Sequence, residues 1–171
     1  IRITFSNPPI NIINVDFLED IHEFLTALRS MTESDKSKIV VFLPSDPKIW
    51  LSYLDLHLIN RKFPAPSETD SPAAVHKLGE VLHMLNTIPT ILLAEVNGPA
   101  VGGGNEFVVN MDLRFAGPDA GFGVPEVAGG VLIGPAKTLE YNISTQSIGA
   151  REAEKIGLLN KAFDSAGKLR E

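Results

Sequence analysis

The chain has 171 residues, 44% hydrophobic and 21% charged, with a formal net charge of −6 and no cysteine. That length suits one domain with a sizeable core rather than two, and the composition speaks against disorder or a fibrous fold. The acidic balance argues against nucleic acid or an anionic membrane as the main partner, and the lack of cysteine excludes disulfides and thiol chemistry.

The segment IRITF (1–5) alternates apolar residues and reads as a strand, with a proline-stiffened extended segment, NPPINII (7–13), after it. Phe17, Leu18, Ile21, Phe24, Leu25 and Leu28 recur at helical spacing and predict an amphipathic helix over 15–30. KIVVFLP (38–44) is a continuous apolar run stopped by proline, as in a strand buried on both faces. Residues 45–63 mix a turn with an apolar, helix-like stretch, and 64–72 form a polar, proline-rich loop. A second helix is expected over 73–86 and a second buried strand over 90–96, the longest apolar run, which Glu95 interrupts well short of membrane-spanning length. Beyond the glycines that follow, 105–111 reads as helix, 113–117 and 120–124 as short strands, 150–157 as helix and 158–163 as strand. No signal or transit peptide is visible. The chain opens at Ile1 inside a strand-like segment and closes abruptly on KLRE, so the expectation is an incomplete sequence. Strands alternating with helices define an α/β class.

The glycine segment NGPAVGGGNEF (97–107) invites three readings: tight packing, a phosphate cradle or a site for developing negative charge. A phosphate-binding P-loop needs Lys and Ser or Thr after its last glycine, where Asn105 and Glu106 stand. The dinucleotide fingerprint fails on spacing, with glycines at 98, 102, 103 and 104. What is left is a strand, a glycine turn and a helix start. Its free N–H groups can either receive a transient oxyanion, with a carboxylate nearby for acid–base work, or simply pack closely on a neighbouring strand.

The longer stretch AEVNGPAVGGGNEFVVNMDLRFAGPDAGFGVPEVAGGVLIG (94–134) resembles the signature of the crotonase superfamily, the enoyl-CoA hydratase/isomerase family. That signature runs N-G-x-A-x-G-G-G, a variable residue, Glu, an apolar helix, D-L-R and F-G-x-P-E, and it is met here without a gap. NPPINII resembles the family's P-x-x-N segment, and REAEKIGLLNKAF (151–163) its A-E-x-A-x-x-x-G-L-V-N segment. The resemblance implies a crotonase-like α/β fold of repeated ββα units, with a core over 1–163 and the start of a truncated helical region over 164–171. It implies that two backbone N–H groups hold the oxygen of an acyl-CoA thioester. Gly103 matches one donor. The A-G-x-D segment that carries the other is matched by SYLD (52–55), which makes Ser52 the expected second donor, with Tyr53 departing from glycine. Glu106 matches the glutamate that activates water in hydratases, and Glu126 the one that exchanges a proton with the acyl carbon. Trp50, Tyr53, Gly102, Pro125 and Gly129 are expected to contact substrate, and Asp112 to serve a turn or cap.

The resemblance implies no cofactor, since coenzyme A belongs to the substrate, and an intracellular protein without nucleic-acid or membrane partners, a homotrimer or dimer of trimers if the family's C-terminal helices exist. It leaves cytosol, mitochondrion and peroxisome undistinguished. His22, His57, His76 and His83 lack metal-ligand pairing, so helix surface or packing is expected of them. Residues 129–154 are short by roughly one helix against the family pattern, either by deletion or by omission from the sequence, and the expectation is a truncation that also leaves out the helices that close the acyl pocket and build the trimer. Retention of Glu106 and Glu126 favours hydration over double-bond isomerisation, and over a degenerate scaffold or binding protein.

Overall fold

The computed structural model describes residues 1–31, 38–55, 58, 71–123 and 147–171, and in it the first eight strands are dealt alternately to two sheets. The elements run β1 (Arg2–Phe5), β2 (Ile12–Ile13), α1 (Val15–Ser30), β3 (Ile39–Pro44), β4 (Leu51–Leu54) and α2 (Ser71–Thr87). They continue with β5 (Ile91–Val96), β6 (Pro99–Val101), α3 (Gly103–Val109), β7 (Leu113–Ala116), β8 (Gly121–Gly123), β9 (Ile148–Gly149), α4 (Ala150–Lys155), β10 (Lys161–Ala162) and α5 (Ala166–Arg170). One sheet has the order β1-β3-β5-β7-β10 and the other β2-β4-β6-β8-β9. Pairing is parallel throughout except between β8 and β9. Parallel neighbours need long crossovers, which the second strand and helix of each unit supply. Each ββα turn therefore adds one strand to each sheet, the repeated α/β unit that the resemblance implied.

Local chemistry sets the elements. The Asn14 side chain accepts from the Phe17 N–H at 3.0 Å and caps α1, whose Phe17, Leu18, Ile21, Leu25 and Leu28 are buried. In β3 and β5, Val40, Phe42, Leu92 and Ala94 face the core, and Val41 and Leu93 face the other way. Edge-to-face rings weld the layers: Trp50 lies 5.2 Å from Phe5, and Phe107 of α3 lies 6.0 Å from Phe17 and 6.2 Å from Phe42.

Three expectations change. Residues 51–54 are a strand, because pairing with β2 and β6 overrides the helix-like apolar spacing. Helix α3 starts at Gly103, two residues before Asn105. Within 158–163 only Lys161 and Ala162 pair with β7, while the N–H groups of Leu158 and Leu159 both return to the Ala153 carbonyl. A cavity of about 570 Å³ lies on the outward face of the first sheet, lined by Val41, Leu93, Glu95, Phe115 and Phe163 among others. None of its lining residues belongs to the glycine segment. Among the described residues no helix is long and apolar enough to cross a membrane.

Candidate active site

Each of the three glycines has its own reason. Gly102 stands at φ 57°, ψ −127°, a conformation that penalises any side chain, and its N–H bonds the Gly123 carbonyl of β8 at 2.8 Å. A Cβ on Gly104 would come within 1.8 Å of the Leu51 carbonyl oxygen, so α3 rests directly on the backbone of β4. A Cβ on Gly103 would meet Leu54 N at 3.2 Å and the Tyr53 carbonyl carbon at 3.4 Å. Gly103 thus looks onto the Tyr53–Leu54 peptide. As the first residue of α3 its N–H has no carbonyl acceptor within the helix.

The facing strand is held by an asparagine network. Asn11, buried and at φ 50°, donates from Nδ2 to the carbonyls of Ile49 at 3.0 Å and Trp50 at 3.2 Å, and its Oδ1 accepts from Asn7 N at 2.8 Å. Asn7 Nδ2 in turn donates to the Ile12 carbonyl at 2.7 Å and to Asn14 Oδ1 at 3.0 Å. The Asn11 and Ile13 carbonyls face β4 and accept from Ser52 N at 3.0 Å and Asp55 N at 2.9 Å. Pairing steps from Ile12↔Ser52 to Ile13↔Leu54, so Tyr53 is an extra, bulged residue with φ 47°. A left-handed backbone at a bulky residue costs roughly 1–2 kcal/mol.

This geometry corrects the expected second donor. The Ser52 N–H bonds the Asn11 carbonyl, and the backbone nitrogen that comes nearest the Gly103 Cβ position is that of Leu54, at 3.2 Å, two positions further along the same SYLD segment. Trp50, expected as a substrate contact, is fully buried, rings against Phe5 and Phe107, and its Nε1 donates to the Glu95 carbonyl at 2.8 Å. Tyr53, by contrast, is 43% exposed.

Glu106 lies three residues after Gly103 and is half-buried; its N–H bonds the Gly102 carbonyl at 3.0 Å, and its own carbonyl accepts from Asn110 Nδ2 at 2.7 Å. Positions i and i+3 of a helix share a face, so Glu106 lies on the same face of α3 as Gly103. Glu126, Pro125, Gly129 and His57 lie outside the described residues.

The D-L-R triplet proves to be scaffold. Asp112 Oδ2 accepts from Leu92 N at 2.8 Å at the start of β5, and Arg114 Nη1 donates to the Val109 carbonyl at 3.0 Å at the end of α3. Burial lowers the Arg114 pKa, with Asp112 opposing that shift. No cluster of metal-ligating side chains occurs among the described residues. His22 lies 3.8 Å and His76 3.4 Å from the Glu80 carboxylate on helix surfaces. Sequence reasoning gave no role to Leu54 or Asn11, although both sit inside the matched A-G-x-D and P-x-x-N segments.

The fold and this glycine turn define a crotonase-type ββα protein. A family model described as Enoyl-CoA hydratase/isomerase matches residues 1–170, and the chain belongs to that family. A Bacillus subtilis protein named "Probable enoyl-CoA hydratase" is 24% identical over 171 aligned residues, covering 92% of this chain. The chain spans 63% of the length of that curated relative. The enoyl-CoA hydratase structure from Bacillus anthracis superposes with a TM-score of 0.83 at 23% identity, over 99% of this chain and 67% of that one. The Pseudomonas aeruginosa DspI structure gives 0.81 at 24% identity, over 99% and 75%. These likenesses carry the fold.

Proposed function

We propose that the protein processes acyl-CoA thioesters and adds water across a 2-enoyl-CoA. The observation that carries this reading is the close approach of Leu54 N, on bulged β4, to the Gly103 turn that opens α3, with Glu106 one helical step further on. A thioester oxygen placed there accepts two hydrogen bonds, which polarise the conjugated double bond and make its distal carbon electrophilic. Glu106 takes a proton from a water whose oxygen bonds to that carbon. The electron pair moves onto the thioester oxygen as an enolate, where the two N–H groups meet it; a single donor of this kind contributes about 2.7–4 kcal/mol to a transition state. Return of the pair then takes a proton at the carbon next to the carbonyl. The family resemblance gives that delivery to Glu126.

The test is loss of the conjugated thioester absorbance of crotonyl-CoA, with the product identified by mass spectrometry. Wild type is expected to yield the 3-hydroxyacyl thioester, and Glu106→Gln and Glu126→Gln each to lose about 10²–10⁴ in kcat, the usual worth of a positioned acid or base. Turnover untouched by both substitutions would sink the proposal, and a product with a shifted double bond and no added water would replace hydration by isomerisation.

A further inference from the structure

Two described non-glycine residues hold a left-handed backbone, Asn11 and Tyr53. Asn11 has a reason: its side chain pins the Ile49 and Trp50 carbonyls from that conformation, which asparagine tolerates. Tyr53 has no such reason. Its neighbours Trp50, Leu51 and Ser52 are buried, whereas Tyr53 is 43% exposed, so core packing does not retain it. Glycine would form the same bulge without strain. What tyrosine adds is a ring, and strain kept at a site is a pointer to function.

The position of that ring follows from the bulge. The Tyr53 α-carbon belongs to the peptide whose nitrogen lies 3.2 Å from the Cβ position of Gly103. An oxygen held about 3 Å from Leu54 N is therefore within about 5 Å of that α-carbon, given the fixed geometry of a trans peptide. The α-carbon that carries the exposed ring therefore lies at the edge of the space beside a bound carbonyl. We propose that Tyr53 is a specificity-determining residue whose ring walls this space, so that the site takes acyl thioesters unbranched next to the carbonyl and turns away those branched there. This rests on the acyl-thioester reading of the site.

Binding of two saturated, non-reacting isomers, butyryl-CoA and isobutyryl-CoA, to the full chain by calorimetry tests it. Because the two have equal carbon counts, hydrophobicity is matched and only branching differs. Wild type and Tyr53→Phe are expected to prefer butyryl-CoA by about tenfold or more, the usual worth of one misplaced methyl in a pocket, and Tyr53→Gly by about twofold at most. Tyr53→Gly is the variant least prone to unfold, since glycine takes φ 47° freely. No preference in wild type, or the same preference in Tyr53→Gly, overturns the inference alone. Loss of preference in Tyr53→Gly without crotonyl-CoA turnover by wild type upholds it and overturns hydration. If neither thioester binds, both fall.

Discussion

Gly104 and Gly79 are both helical glycines, yet a methyl group has opposite consequences at the two. On Gly104 it would occupy the space of the Leu51 carbonyl, 1.8 Å away, and neither backbone can yield without parting α3 from β4. Gly104→Ala is expected to cost about 3 kcal/mol or more, at the upper end of overpacking. Around Gly79, on an exposed face of α2, nothing lies within 4 Å, and Gly79→Ala is expected to stabilise by about 0.5–1 kcal/mol. Urea unfolding of the two variants checks both signs. At this scale Gly103 and Glu106 were legible as residues that the family pattern singles out. The approach of Leu54 N to the Gly103 turn was not, because it depends on the φ of Tyr53, and tyrosine is a residue from which a left-handed backbone is not read.

Between elements, the contact that matters is the one between the short β2 and β4. Asn14 and Asn11 lie three residues apart and do different work. Asn14 caps α1, so Asn14→Ala is expected to cost about 1 kcal/mol and leave turnover nearly unchanged. Asn11→Ala takes the Asn11 donor from the buried Trp50 carbonyl and the part-buried Ile49 carbonyl and puts alanine at φ 50°, for about 2–3 kcal/mol. It also frees the strand that presents Leu54, so kcat with crotonyl-CoA is expected to fall at least tenfold more than in Asn14→Ala, the factor that follows from an oxyanion donor weakened by about 1.4 kcal/mol. Stopped assays beside denaturation curves separate the two effects. Helix α1 was readable from its spacing alone. Strand β4 was not, since the apolar run from Ile49 to Leu54 suits a helix face equally well, and only the tertiary ladder decides.

Across the whole molecule, α4 is fastened to β10 through Glu154, whose carboxylate meets Lys161 Nζ at 3.2 Å and Arg151 Nη1 at 3.5 Å. The Lys161 hydrogen bond holds its pKa below the ordinary 4.5. A carboxyl lowered on folding contributes stability that is whole above that ordinary value and is lost as pH falls through the folded one. Glu154→Gln is therefore expected to lower the melting temperature at pH 7 and to match wild type once acid has protonated Glu154, a convergence that calorimetric scans at stepped pH would show. The α/β class was legible in the alternation of strand and helix patterns. The division of the strands between two sheets was not, because consecutive strands such as β5 and β6 differ in sheet and not in sequence character; the family resemblance implied the repeated ββα unit and not that division.

That dealing of strands to alternate sheets also orders the protein's own synthesis. A sheet built one strand per turn can be laid down as the chain leaves the ribosome, each turn covering the last without waiting for a distant partner. Leu54 comes from the second turn and Gly103 from the third, and the Gly102 N–H is fastened only when Gly123 has arrived. A nascent chain halted between those points would already have made the strand that carries Leu54, and would still lack the fastening that fixes the Gly103 turn.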